Sequence, residues 1–255
     1  MLKNRVIPVL LLQGSGLYKT RRFKSPVYVG DPINVIRIFN DKEVDELMVL
    51  DIGASKEGLE PNFDLIEKFA GECFMPLTYG GGIQNLDQAS KLFSLGIEKV
   101  SIQTSVINNF SIVRKISDKF GSQSVVVSVD VSRNFFGFPR LRQSSTGKMV
   151  KNNWLEFAKM AVAAGAGEIL LNAVHRDGTL DGPDLPLIRQ ASEALSVPLI
   201  AIGGVANLGD IKCCIDAGAS AVGAGAFFVF QGPYRSVLIT YPDYKDLELL
   251  LGKRD

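Results

Sequence analysis

At 255 residues, with 46% hydrophobic side chains and 25 glycines, the chain is long enough for a large core with many tight turns. A formal net charge of +1 supplies no global field arguing for nucleic acid or an acidic membrane as partner. The apolar run 6–12 is too short for a bilayer and is broken by Pro8, and no charged-then-apolar leader precedes it, so the sequence reads as cytoplasmic. Taken in order, 6–11 predicts a buried strand, and 13–31 a long polar loop carrying Lys19, Arg21, Arg22 and Lys24 on a flexible track. Further buried strands are predicted over 47–52, 76–79, 99–102, 124–130, 169–172, 199–202 and 221–225. The clearest helical spacings fall between them, at 63–70, 86–93, 112–120, 154–163 and 185–195. A second long insertion, 133–153, reads as a hairpin whose Phe135, Phe136 and Phe138 pack onto the body of the protein.

Strand and helix alternate eight times, which predicts parallel strands with right-handed crossovers, closed into one (β/α)8 barrel domain over residues 1–255. The pattern of Pro76, Gly81, Gly82, Asn85, Leu86, Gly96 and Val100 recurs 122 residues later at Pro198, Gly203, Gly204, Asn207, Leu208, Gly218 and Val222. A repeat at half-length predicts two four-strand halves of one object. Both long insertions follow strands, so both belong to the C-terminal face, where barrel enzymes hold substrate.

Gly80-Gly81-Gly82 and Gly203-Gly204 each follow a strand and open a helix, an arrangement that aims backbone N–H groups at an anion. Their equivalence across the repeat predicts two opposed anion sites suited to a substrate with a phosphate at each end. The strand-end polar residues are Asp51, Ser101, Gln103, Asp130, Asn172 and Asp177, with Thr104 just beyond. Asp130 ends an apolar strand, so its carboxylate should face the mouth, lose water and rise in pKa toward an acid/base range. His175 is the only histidine, which disfavours a multi-histidine metal site and a Ser-His-Asp triad. Cys73, Cys213 and Cys214 have no metal spacing and read as reduced core filling. No metal and no cofactor is expected.

Arg5-Val6-Ile7-Pro8, Leu50-Asp51-Ile52, Pro76-Leu77-Thr78, Lys99-Val100-Ser101-Ile102, Gly165-Ala166-Gly167-Glu168 and Arg176-Asp177-Gly178-Thr179 together closely resemble the cyclase subunit of imidazole glycerol phosphate synthase, the HisF family. The resemblance covers essentially the whole length. It implies a barrel with two phosphate sites, one matched by Gly82, Gln103 and Thr104, the other by Asp177, Gly178, Gly204, Gly225 and Ala226. Asp130 matches the family's second catalytic aspartate, and Lys19 its mobile-loop lysine. Arg5, Glu46, Lys99 and Glu168 match the charged gate through which ammonia enters from a HisH-like glutaminase, the partner in a heterodimer. Above the gate, Leu50, Val100, Ile169 and Val222 are expected to line the ammonia path, and Glu98 to meet a basic residue of the partner.

The departures bear on function. Leu11 stands where the family's first strand ends in the main general acid/base, an aspartate, and Leu11 cannot carry a proton. Gln103 replaces an asparagine, Ile202 a serine, and Gly225-Ala226 an alanine-serine pair. The expectation is a divergent paralogue that moves ammonia to a different acceptor, a phosphorylated or sugar small molecule. The resemblance to paralogues of this family in surface-polysaccharide clusters implies the leading case, an acetamido sugar made into an acetamidino sugar with a separate ligase. The alternatives are a working histidine-pathway cyclase and a silent scaffold that only activates a glutaminase.

Overall fold

The computed structural model describes residues 4–232 and 234–252, with Asn108 lacking a described side chain. Eight parallel strands form a closed barrel: β1 (Arg5–Gln13), β2 (Leu47–Asp51), β3 (Leu77–Gly80), β4 (Lys99–Ile102), β5 (Val125–Arg133), β6 (Glu168–Ala173), β7 (Leu199–Ile202) and β8 (Ala221–Ala224). Each pairs with its sequence neighbours, and β8 closes on β1 through the register Arg5↔Ala221 to Pro8↔Ala224. The main helices are α1 (Pro32–Asp41), α2 (Phe63–Glu72), α3 (Leu86–Ser94), α4 (Ser111–Phe120), α5 (Trp154–Ala163), α6 (Leu185–Ala194), α7 (Leu208–Asp216) and α8 (Tyr244–Leu251). The fold is the (β/α)8 barrel.

The half-repeat is carried by local chemistry. Asn85 and Asn207 cap α3 and α7, each side chain accepting the backbone N–H three residues on, from Gln88 and Asp210. Gly81 and Gly203 sit at φ 114° and 110°, in a region that L side chains avoid. A Cβ on Gly81 would lie 2.4 Å from the carbonyl oxygen of Asp51, and one on Gly203 2.8 Å from that of Ala173, so the same close approach recurs 122 residues apart.

Strand alternation divides the core in two. Outward residues such as Val6, Leu47, Tyr79, Val100, Ile169 and Val222 pack against the helices. A separate interior column holds Ile7, Val9, Met48, Val126, Leu170, Ile200 and Ala221, with Leu11, Leu50 and Ile202 beside it. Of the four residues expected along an interior path, only Leu50 is inside. Val100, Ile169 and Val222 each follow or precede an inward neighbour (Lys99, Leu170, Ala221) and therefore face out.

The long loop after β1 is not a flexible track. It is a β-hairpin, Gly16–Arg21 with Lys24–Gly30. The β1–β8 pairing ends at Pro8↔Ala224, which leaves the last part of β1 with a free edge, and the hairpin takes it through Leu11↔Tyr18, Leu12↔Leu17 and Gln13↔Gly16. Leu17 and Val29 anchor it in the core. The insertion after β5 is a hairpin, with Val131↔Leu141 and Arg133↔Pro139 paired. Its phenylalanines do not pack down: Phe135 is 98% exposed and Phe136 and Phe138 are exposed as well. The reason is local, since Asn134 Oδ1 accepts from the backbone N–H of both Phe136 and Phe138 and curls the tip away from the barrel. Among the cysteines Cys214 fills the core as expected, whereas Cys213 is exposed because its neighbour takes the inner face of α7.

Candidate functional site

At the N-terminal end of the barrel, Arg5, Glu46, Lys99 and Glu168 close into one ring. Arg5 bonds Glu46 at 2.5 Å and Glu168 at 3.0 Å, and Lys99 bonds the same two carboxylates at 3.1 and 3.3 Å. Thr78 Oγ1 donates to Glu46 Oε1 at 3.1 Å, so the most buried carboxylate has three partners. Burial opposes the charge on Arg5, but Glu46 and Glu168 outweigh it and raise its pKa. A buried ion network is weak evidence for stability, because well-packed apolar residues often hold a barrel as well. Directly above the ring stands the interior apolar column of Ile7, Met48, Val126, Leu170 and Ile200, with Ser101 and Ser128 facing inward higher up. Glu98, beside Lys99, is exposed on the same end.

At the other end one cavity opens among the βα loops, and it gathers most of the residues singled out from the sequence. Lys19, Gln103, Thr104, Asp130, Asp177, Gly178, Gly204, Gly225 and Ala226 all line it, and so does Leu11. Gly82 stands behind the wall: Gly80 and Gly81 reach the cavity, while the Gly82 N–H donates to Ser55 Oγ at 3.1 Å. Gly178 is pinned by the first hairpin, since a Cβ there would lie 2.0 Å from the Thr20 carbonyl oxygen. Asp177 accepts from Thr20 Oγ1 at 3.1 Å and from Phe23 N at 3.4 Å, and burial raises its pKa against these bonds. Lys19 is buried under the hairpin, where its ammonium donates to the Val9 carbonyl oxygen. Burial lowers its pKa to about 8, with Asp177 pulling the other way.

Asp130 is the most confined of these groups. Gln103 Nε2 donates to Asp130 Oδ2 at 2.8 Å, Ser144 Oγ reaches the same oxygen, and Ser128 Oγ lies 3.4 Å from Oδ1. Gln103 spends the other end of its amide on Ser144, accepting from its N–H at 2.9 Å, and donates to the Arg142 carbonyl at 3.2 Å. Gln103, expected on the first anion site, lines the cavity beside Thr104, and its side chain latches the β5 hairpin to Asp130. Ser144 was not singled out in the sequence. The signal was the hairpin register, for the Arg142 N–H donates to the Asp130 carbonyl and so returns the chain over Asp130 two residues before Ser144.

Desolvation pushes the Asp130 pKa up from 3.8 to about 6, against the hydrogen bonds from Ser144 and Gln103. The protonated form therefore favours the folded state fully below pH 3.8, and that contribution is lost as pH rises to about 6. Asp130→Asn should stabilise the protein by about 1–3 kcal/mol at pH 7.5, with the gain gone by pH 4. Urea denaturation of both proteins at the two pH values checks this, and an equal midpoint at pH 7.5 contradicts it.

Both hairpins border the cavity, and Arg142 of the second lies over the Phe23 ring of the first at 5.7 Å. Across 14–30 and 133–153 there are nine lysines and arginines and no acidic residue, so the rim attracts anions although the whole chain carries +1.

A profile of the family described as "Histidine biosynthesis protein" matches residues 5–234. A Pseudomonas aeruginosa protein, provisionally named imidazole glycerol phosphate synthase subunit hisF2, is 50% identical over 98% of this chain and 100% of its own. The chain belongs to the HisF family. Another provisionally named HisF subunit, from Leptospira interrogans, is 44% identical over 98% of this chain and 99% of its own. The imidazole glycerol phosphate synthase subunit HisF of Exiguobacterium sibiricum is 37% identical over 96% of each chain. Within the described residues of this HisF-family barrel no helix is long and apolar enough to cross a membrane.

Proposed function

We propose that this HisF-family barrel takes ammonia from a HisH-like glutaminase seated at the charged ring and releases it at the opposite mouth to an acceptor other than the family's ribulosyl phosphate. The leading acceptor is the acetamido group of a sugar intended for surface polysaccharide, and the product is the acetamidino sugar. The observation that carries the reading is a contrast within one barrel: all four ring charges are present and mutually bonded, while the mouth holds Leu11 where ring closure needs an acid. A relative named as a subunit supports work within an assembly.

The chemistry balances only with a co-reactant. An amide oxygen is a poor leaving group, so a separate ligase first transfers a phosphoryl or adenylyl group from ATP to the carbonyl oxygen. The nitrogen lone pair of ammonia then forms the C–N bond, the oxygen departs with phosphate or AMP, and the surplus protons leave the nitrogen. Asp130, ionised above a pKa of about 6, is placed to accept one of them. Lys19 and the turns at Gly80-Gly81 with Thr104, and at Asp177, Gly178, Gly204, Gly225 and Ala226, would hold the anionic parts of the acceptor, with Gly82 bracing the first turn from behind through Ser55.

Amide-¹⁵N-labelled glutamine tests the acceptor. With the glutaminase, the ligase and ATP present, label should enter the acetamido sugar and not an imidazole product. Label in imidazole glycerol phosphate at a normal rate would restore the histidine-pathway reading, and glutaminase activation with label in ammonium alone would identify a scaffold.

A further inference from the structure

The wall of the mouth is divided by strand. On β4, β5 and β6 the inward residues are Ser101, Ser128, Asp130 and Asn172. On β7, β8, β1 and β2 they are Ile202, Gly223, Val9, Leu11 and Leu50. These strands are neighbours in the barrel, so one arc is polar and the facing arc apolar. Two glycines tighten the apolar arc. A Cβ on Gly223 would lie 2.5 Å from Ile202 and 3.1 Å from Val9, and one on Gly80 2.8 Å from Leu50, so these side chains close over backbone that carries none.

In the polar arc Asn172 stands apart. It is only 7% exposed, lines the cavity, and its amide oxygen has no hydrogen-bond partner among the described residues. Its neighbours are differently placed, since Asp130 is already held by Gln103 and Ser144. A buried amide oxygen left without a partner costs stability unless a ligand completes it. An amide presents one donor end and one acceptor end, so its complement is a group that offers N–H or C=O itself. The alkyl side chains of the facing arc accept a small alkyl group, with the Lys19 ammonium held beside them on the Val9 carbonyl oxygen.

We propose that the mouth contains a subsite for an N-acyl group, in which Asn172 pairs with the carboxamide of the ligand and Leu11, Leu50 and Ile202 enclose its methyl. Leu11 is then a specificity residue as well as a lost acid. The subsite rests on the acceptor reading above and deepens it, because it places recognition of the acetamido group on this barrel and not solely on the ligase.

The test uses two probes that differ only by the acetyl group, N-acetylglucosamine 1-phosphate and glucosamine 1-phosphate, titrated calorimetrically into the purified chain at pH 7.5. The acetylated probe should bind at least about tenfold more tightly, from one enclosed methyl and one amide hydrogen bond. Asn172→Leu, which keeps the volume and removes the amide, should cut that preference several-fold, and Leu11→Asp, which replaces an alkyl wall of the pocket by a polar group, should cut it as well. Both variants are first checked for wild-type melting. Equal binding of the two probes, binding of neither, or a preference untouched by both Asn172→Leu and Leu11→Asp overturns the subsite. No glutaminase or ammonia is present, so a barrel that relays ammonia to some other acceptor passes the relay experiment and fails this one.

Discussion

Ring closure of the ribulosyl phosphate substrate, driven by ammonium salts, should run at least about 10²-fold more slowly on this barrel than on a cyclase with aspartate at the position of Leu11. Positioned acid–base groups are worth about 10²–10⁴ in rate, and Leu11 offers no proton. Asp130 is not free to serve both roles, because Gln103 and Ser144 both hold its Oδ2. Leu11→Asp should recover only part of the loss. The new carboxylate would enter a wall made by Leu50, Val9 and Ile202, where desolvation favours its protonated form. Steady-state turnover with product quantified by absorbance decides the matter, and a wild-type rate in the ordinary range of cyclases contradicts the role given to Leu11.

The barrel was legible because its strands are buried on both faces and read as uninterrupted apolar runs. The runs at 99–102 and 199–202 and the helix at 154–163 match the observed Lys99–Ile102, Leu199–Ile202 and Trp154–Ala163. The first hairpin was not legible, because what orders it is the free edge of β1, a consequence of where β8 ends more than two hundred residues later. The same holds for the placement of Lys19, which reads as a cation on a flexible polar loop and is buried against Val9. The interior path was misread for a different reason. Its phase was recoverable, since Lys99 and Glu168 at the ring must point inward and a period of two then sends Val100 and Ile169 outward. Asn172 could be placed at a strand end from sequence, but that its amide lacks a partner depends on every neighbour in the folded barrel.

The second large effect follows from that corrected path. Leu170 lies two residues above Glu168 on the interior face of β6, paired in register with Ser128 and Ile200, and is only 1% exposed. An indole there occupies space in a close-packed column that has none to spare. Ammonia is neutral and can pass among apolar side chains, whereas ammonium would have to shed its hydration. Leu170→Trp should therefore lower glutamine-dependent product formation by about an order of magnitude or more while leaving synthesis from free ammonium near the wild-type rate. Val100→Trp is the contrasting variant, because it faces the helices and should not intrude on the path. Both variants must retain wild-type melting and glutaminase binding for the comparison to stand.

The ratio of glutamine-driven to ammonium-driven product formation, measured in the complex of this chain with its glutaminase, addresses the central claim most directly. The relay account predicts that Leu170→Trp collapses the ratio and that Lys99→Ala, which opens the ring of Arg5, Glu46 and Glu168, changes it without altering the ammonium-driven rate. A ratio unchanged from wild type in the stably folded Leu170→Trp protein would mean that ammonia does not travel through this barrel.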